Sequence, residues 1–307
     1  MNEVRDQDEI RRHYYKARFP RARFPRKRVT VIAGFQCTDG VMMCSDTEQI
    51  TSVNTKSPVR KISLLPMPKG FLLIGGAGDG ALIDYTLHSL LDYLSKTAFD
   101  WSNIEGVLNA HARYIFRSNI KPYSTFPADF IPDLSLMIGV EMEGRTGLFK
   151  WERNFAYLIP PMQHIAIGIG TLQAEPMLAA QQFFVPSDQM LFYAVRLMLK
   201  VKQLVQGCGS KTEVAVLRSN GTALKYATTT VDAIETLAEE IDQFYLSEIL
   251  TLISNVHMDE KSIEEQLKPC MKELEKFRKR YVDLVPFSII PIQAATPSIS
   301  QKSTDQP

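Results

Sequence analysis

Three residues near the start of the chain have side chains that could perform catalysis together. Thr30 carries a hydroxyl, Asp46 a carboxylate and Lys61 an amine. A hydroxyl is a weak nucleophile until a neighbouring base or charge activates it. A threonine flanked by a carboxylate and an amine is therefore a plausible activated nucleophile, provided that the fold brings the three side chains to one place.

The segment that contains the first two of these residues is typical of a β-hairpin. The runs VTVIAGFQC and VMMCSD are apolar, the first rich in β-branched residues, and Asp39-Gly40 lies between them. An Asp-Gly pair between apolar runs is a strong short-range hairpin signal. A hairpin would bring Thr30 and Asp46 to the same end of a sheet, and a third strand beginning just before Lys61 would add the amine.

The rest of the chain predicts blocks of strands separated by pairs of helices. Two strands are expected over 59–65 and 70–74, and a glycine-rich loop over 75–80 then leads into two helices. Four strand-like runs between 134 and 170, two further helices and two final strands follow. Such blocks indicate helix layers packed on antiparallel sheets, an α+β architecture.

The order and spacing of these motifs resemble those of proteasome β-subunits and of the bacterial HslV and Anbu peptidases. The resemblance spans about Thr30 to Thr228, and it rests on these features in order: Thr30, the Asp-Gly turn, Asp46, the Arg60-Lys61 pair, Gly75-Gly76-Ala77-Gly78, Asp84, Gly168 and Gly170. It implies the four-layer αββα sandwich of N-terminal-nucleophile hydrolases, with two antiparallel sheets between helix layers.

The resemblance also implies roles for four residues. Thr30 would be the nucleophile, with its own α-amine, freed by processing, as the base. Lys61 would lower the pKa of the Thr30 hydroxyl, and Asp46 would hold Lys61 charged and oriented. The backbone N–H of Gly75 would donate to the oxyanion of the intermediate.

Four positions depart from the family pattern. Val29 stands where active precursors carry glycine, and Ile169, Val205 and Cys208 stand where the family has serine, aspartate and serine. The β-branched Val29 makes the Val29–Thr30 bond harder to bend for self-cleavage, and the other three changes remove hydrogen bonds that would tune the amine. They favour a second hypothesis, that of a catalytically silent structural subunit.

Three classes of function therefore stay open. The first is a threonine-type peptidase that acts on peptides or unfolded proteins within a homo-oligomeric ring, with or without an ATPase partner. The second is the silent subunit, and the third is an amidase for small substrates or an unrelated binding module. In the non-catalytic interpretation Thr30 is an ordinary strand residue, Asp46 caps a turn and Lys61 is a solvated charge. The mass of the mature protein distinguishes the active peptidase from the silent subunit, because only the active enzyme needs a free Thr30 amine.

Charge and composition divide the chain into four parts. Residues 1–28 form a basic segment with a repeated Arg-Phe-Pro unit, interpreted as a disordered arm, a removable propeptide or an anchor for an anionic partner. Residues 29–230 hold the proteasome-like domain. Residues 231–285 predict an amphipathic helical extension, with an apolar stripe from Ile234 to Tyr245. Residues 286–307 are rich in Pro, Ser, Thr and Gln and are expected to be a disordered tail.

Composition excludes several classes of function. The net charge of +1 in 307 residues gives no global field for nucleic acid. The four cysteines form no CxxC pair and no histidine pair has metal spacing, so no metal or other cofactor is expected. The glycine-rich GGAGDG does not match a nucleotide-binding fingerprint. No run approaches the ~20 apolar residues of a membrane helix, and the cysteine usage suits a reducing cytoplasm.

Overall fold

A computed structural model describes residues 30–50, 56–126, 131–180, 183–255, 258–285 and 289–291. The basic segment 1–28, Val29 and most of the predicted tail lie outside these residues. Within the described ranges the strands are β1 Val31–Cys37, β2 Gly40–Asp46, β3 Glu48–Ile50, β4 Lys56–Pro58, β5 Ile62–Met67, β6 Gly70–Gly78, β7 Leu134–Met142, β8 Arg145–Glu152, β9 Phe155–Leu158, β10 Ile165–Gly168, β11 Thr212–Arg218, β12 Ala223–Tyr226 and β13 Ile289–Pro291. The α-helices are α1 Gly80–Lys96, α2 Ile104–Ile115, α3 Thr171–Ala179, α4 Ser187–Leu204, α5 Thr228–Phe244, α6 Leu250–Ser254 and α7 Glu260–Leu284.

The first sheet has six strands in the order β10-β1-β2-β11-β12-β13, all paired antiparallel. The β1–β2 hairpin predicted from the Asp-Gly turn lies in it, with Cys37 opposite Gly40 and Ile32 opposite Ser45. Three residues of the predicted tail form the edge strand β13.

The second sheet has five strands in sequential order, β5 to β9, also antiparallel. The glycine run was expected to be a loop, but Gly75 to Gly78 continue β6 and pair with β7. Glycine is a weak strand former, yet side chains crowd this strand from both sides. A Cβ at Gly75 would lie 2.9 Å from the Ile32 side chain, and one at Gly76 would lie 2.7 Å from Ile83. Close packing from both layers therefore requires glycine here.

Three apolar clusters show that the two sheets lie between two helix layers. One face of the six-stranded sheet packs on α4 and α5, and one face of the five-stranded sheet packs on α1 and α2. The two inner faces meet in a third cluster. Alternation along β1 illustrates the layering, because Val31 and Ala33 face α4 whereas Ile32 faces the other sheet. The predicted α+β fold, an αββα sandwich, is confirmed.

The C-terminal helices pack on the outer layer of the six-stranded sheet. Asp242 of α5 forms ion pairs with Arg196 and Lys200 of α4. At the other end, the Tyr281 hydroxyl of α7 donates to the backbone carbonyl of Asp188. These contacts fix α5 and α7 on the body of the domain.

Candidate active site

The hairpin brings Thr30 and Asp46 together at one end of the six-stranded sheet. Thr30 directly precedes β1, and Asp46 ends β2. One carboxylate oxygen, Oδ1 of Asp46, accepts three hydrogen bonds: from the Thr30 hydroxyl at 3.4 Å, from the Val31 backbone N–H at 3.1 Å and from the Lys61 amine at 2.8 Å. The structure therefore assembles the three side chains that the sequence selected.

Burial makes the Lys61–Asp46 ion pair electrostatically strong. The side chain of Asp46 is 0% exposed and that of Lys61 is 8% exposed. Burial lowers the pKa of the Lys61 amine below its ordinary value, while the nearby carboxylate of Asp46 opposes this shift. The charge on Lys61 thus depends on Asp46.

A buried carboxylate that the sequence did not single out also holds Lys61. Glu213 of β11 accepts the backbone N–H of Lys61 at 3.3 Å, and it forms an ion pair with Lys225 of β12. Its side chain is only 4% exposed. The signal was available, because an acidic residue beside the apolar run VAVL is unusual, but its partner lies 152 residues away in sequence.

A glycine-rich turn holds the backbone of Thr30. Gly170 donates its N–H to the Thr30 carbonyl at 3.3 Å. Gly168 has a φ of +93°, and a Cβ there would lie 2.3 Å from the same carbonyl oxygen. The hydroxyl of Thr171 donates to the Gly168 carbonyl at 2.6 Å and braces the turn. Only glycine permits this close approach.

Thr30 and Lys61 line a cavity of about 340 Å³. The glycine run forms part of its wall through Gly76, Ala77 and Gly78, and the other lining residues are Glu48, Val59, Arg60, Ser63, Ile74, Gly80, Ile83, Asp84 and Leu87. Gly75, the predicted oxyanion donor, precedes this stretch in β6 with its Cα against Ile32. The cavity is large enough for one or two side chains of a peptide.

Three of the four positions that depart from the family pattern lie in the described residues, and they are apolar or neutral there. Ile169 is 46% exposed beside the glycine-rich turn, and Val205 follows the end of α4. Cys208 is buried, and burial together with the carboxylate of Asp46 raises the pKa of its thiol to about 12. Cys208 is therefore a neutral thiol near the Asp46–Lys61 pair.

The described part of the chain contains no group of three or more His, Cys, Asp or Glu side chains that could hold a metal ion. Over those same residues, no helix combines the length and the apolar character needed to cross a membrane.

No family model and no curated protein matches the sequence. Among solved structures, the Anbu protein (ancestral beta-subunit) of Yersinia bercovieri superposes with a TM-score of 0.57 at 16% identity, over 71% of this chain and 97% of that one. This chain has the Anbu fold. A structure described as the helical assembly of the Anbu complex from Pseudomonas aeruginosa agrees, with a TM-score of 0.56 and 15% identity over 71% of this chain and 95% of that one.

The resemblance predicted from the sequence is thus confirmed at the level of the fold. Both Anbu chains match over nearly their whole length, so this chain is longer and part of it lies outside the match. Similarity at such low identity carries no information on catalysis, which has to be argued from the site itself.

Proposed function

We propose that the protein is a proteasome-like threonine peptidase subunit, in which Thr30 becomes the N-terminal residue and hydrolyses peptide bonds. The observation that carries the proposal is the shared oxygen of Asp46. It holds the Thr30 hydroxyl and the Lys61 amine at the wall of one cavity. A nucleophile, a cation and a space for substrate are therefore adjacent.

Cleavage of the Val29–Thr30 bond would free the α-amine that serves as base. Oγ of Thr30 attacks the carbonyl carbon of the substrate while its proton passes to this amine. The amine then gives the proton to the leaving nitrogen as the C–N bond breaks, and a water hydrolyses the resulting ester. An α-amine has a pKa of about 8, so near neutral pH it can both accept the proton of the Thr30 hydroxyl and donate it to the leaving nitrogen.

Lys61 supplies the positive charge that this mechanism needs. A cation near the Thr30 hydroxyl favours the alkoxide and lowers its pKa. Asp46 keeps Lys61 protonated against the effect of burial, and Glu213 fixes the backbone at Lys61. Asp46 and Glu213 act in this proposal as positioning residues.

The alternative is a silent subunit with the same fold. One observation favours it: Ile169, Val205 and Cys208 offer no carboxylate or hydroxyl to orient a freed amine. In this alternative the Asp46–Lys61 pair is a structural feature.

We further propose that the chain works as a homo-oligomeric ring, and that its substrates are peptides or unfolded proteins that enter this ring. The helical assembly of the Pseudomonas aeruginosa protein supports self-assembly of this fold. A closed ring would exclude folded proteins, so an ATPase partner would extend its substrate range. All four cysteines are free and buried, which fits a reducing cytoplasm.

The test is an intact-mass measurement combined with fluorogenic peptide hydrolysis. We expect a species that begins at Thr30, and activity that is lost in Thr30→Ala and Lys61→Ala but partly kept in Thr30→Ser. Lys96→Ala is the matched control, because Lys96 is 70% exposed on α1 and should leave activity unchanged. An uncleaved, inactive protein would establish the silent subunit, and hydrolysis that survives Thr30→Ala would refute the mechanism.

A further inference from the structure

The long helix α7 carries two apolar stripes, of which only one is covered. Cys270 and Phe277 are buried against the body of the domain. Leu267, Met271 and Leu274 are exposed by 40%, 57% and 41% of their surface. A helix that packs against the domain on a single side needs a single apolar stripe. The exposed stripe therefore requires a separate explanation.

Charged residues extend the exposed stripe at both ends with the same spacing. Glu264 lies three residues before Leu267, and Arg278 lies four residues after Leu274. The positions 264, 267, 271, 274 and 278 alternate steps of three and four, which is the repeat of a coiled-coil seam. Both charges are exposed, and neither forms an ion pair with another residue that the structure describes. The stripe is thus acidic at one end, apolar in the middle and basic at the other.

The neighbouring helix α5 packs on α7 but leaves this apolar face open. Contacts between Phe244 and Phe277 and between Glu240 and Arg280 show that α5 and α7 run antiparallel. These contacts leave Leu267, Met271 and Leu274 exposed.

We propose that this face binds a second copy of the chain, with the two α7 helices antiparallel about a two-fold axis at Met271. The charge pattern argues for this occupant, because positions 264 and 278 are equidistant from 271. Antiparallel pairing places Glu264 of each copy against Arg278 of the other, twice per interface. Exposed ion pairs add little energy but select orientation and partner, while the apolar residues supply most of the stabilisation.

This contact differs from those that build a ring. A two-fold contact uses the same patch on both copies and closes on itself, whereas a ring needs two different patches. The proposal therefore adds a pairing contact to the homo-oligomer proposed above. It does not depend on catalysis, because its test measures mass and a silent subunit would answer equally well.

The first experiment measures particle mass by light scattering at micromolar concentration. Met271→Glu puts a charge at the two-fold axis, so we expect the particle mass to halve, with a dissociation constant raised by more than about tenfold. Leu172→Glu is the control, since Leu172 is 77% exposed on α3, outside this face. A monomeric wild type, or a mass that Met271→Glu leaves unchanged, would overturn the proposal.

Charge exchange tests the occupant. Glu264→Arg and Arg278→Glu should each weaken pairing, because both place like charges together. The double variant restores opposite charges across the axis, and we expect it to regain the wild-type mass. A different partner, or residues 292–307 of the same chain, would give no such rescue, and that result would reject the second copy as occupant.

A cross-link tests the axis. Met271→Cys should form a disulfide-linked dimer on mild oxidation, since the two positions face each other. Lys261→Cys, far from the axis on the same helix, should not. The four native cysteines are buried, so their background is low. Equal cross-linking at both positions would refute the proposed axis.

Discussion

Replacing Asp46 with asparagine should destabilise the fold strongly, because it leaves a buried cation without its counter-charge. The carboxylate is fully buried, and the Lys61 amine 2.8 Å away is 8% exposed. Asparagine keeps the shape and one acceptor oxygen for Thr30 and Val31, but it carries no charge. Removal of one partner from a buried ion pair typically costs about 3–5 kcal/mol. We expect a loss of that size in the free energy of unfolding at pH 7.

The structure offers a matched pair for comparison. Asp232 on α5 bonds to Lys211, but these side chains are 34% and 58% exposed. Exposed pairs contribute about 0–1 kcal/mol, so Asp232→Asn should change stability little. In the double variant Asp46→Asn with Lys61→Met both charges are absent. It should therefore lose less stability than Asp46→Asn alone.

The pH dependence gives an independent check. Without Asp46, burial is opposed only by the smaller effects of Cys208 and Glu48, so the pKa of Lys61 in the folded state falls further below the unfolded value of 10.5. The penalty for burying the cation is full below the folded pKa and disappears as pH rises through it towards 10.5. The difference in the free energy of unfolding between wild type and Asp46→Asn should therefore become smaller from pH 7 to pH 10.

Urea denaturation followed by tryptophan fluorescence measures these differences, because Trp151 is fully buried. A loss in Asp46→Asn as small as that in Asp232→Asn would refute the reasoning. A difference in the free energy of unfolding between wild type and Asp46→Asn that grows with pH would also refute it.

Three further predictions concern the site and its supports. Since burial lowers the pKa of Lys61 below 10.5, peptidase activity should fall as pH rises through that lowered value, and Lys61→Arg should move the fall to higher pH. Glu213→Ala removes the acceptor of the Lys61 backbone N–H and should reduce kcat by roughly tenfold with a shifted alkaline limb, whereas an unchanged kcat and pH profile would show that Glu213 has no positioning role. Gly168→Ala places a methyl against the Thr30 carbonyl and should destabilise by about 1–3 kcal/mol, while Gly106→Ala on α2, with nothing within 4 Å, should stabilise by about 0.5–1 kcal/mol in the same thermal melts.

Local sequence signals predicted the hairpin and the order of the elements well. The Asp-Gly turn and its apolar flanks need no distant contact to specify β1 and β2. The helical stripe from Ile234 to Tyr245 was only partly correct: Ile234 and Leu237 are buried, but Tyr245 is 49% exposed. A π-helical turn begins at Tyr245, and it changes the phase of the helix so that Leu246 and Leu250 face outward.

The sequence by itself determined which groups could react. Residue type and hairpin geometry, which is local and periodic, were enough to select Thr30, Asp46 and Lys61 as the candidate reactive groups. Only the tertiary structure decided that the glycine run is a strand, because crowding by Ile32 and Ile83 overrides the weak strand propensity of glycine.

Tertiary structure also decided what surrounds the reactive groups. Glu213 reaches Lys61 from a strand 152 residues further along the chain, and no local pattern encodes that distance. The tertiary structure was also needed to find the exposed stripe of α7. The sequence shows two apolar stripes on this helix, but it does not show which of them the body of the domain covers. Burial and long-range pairing are properties of the folded chain, and they set the charge of Lys61 and the face left open at Met271.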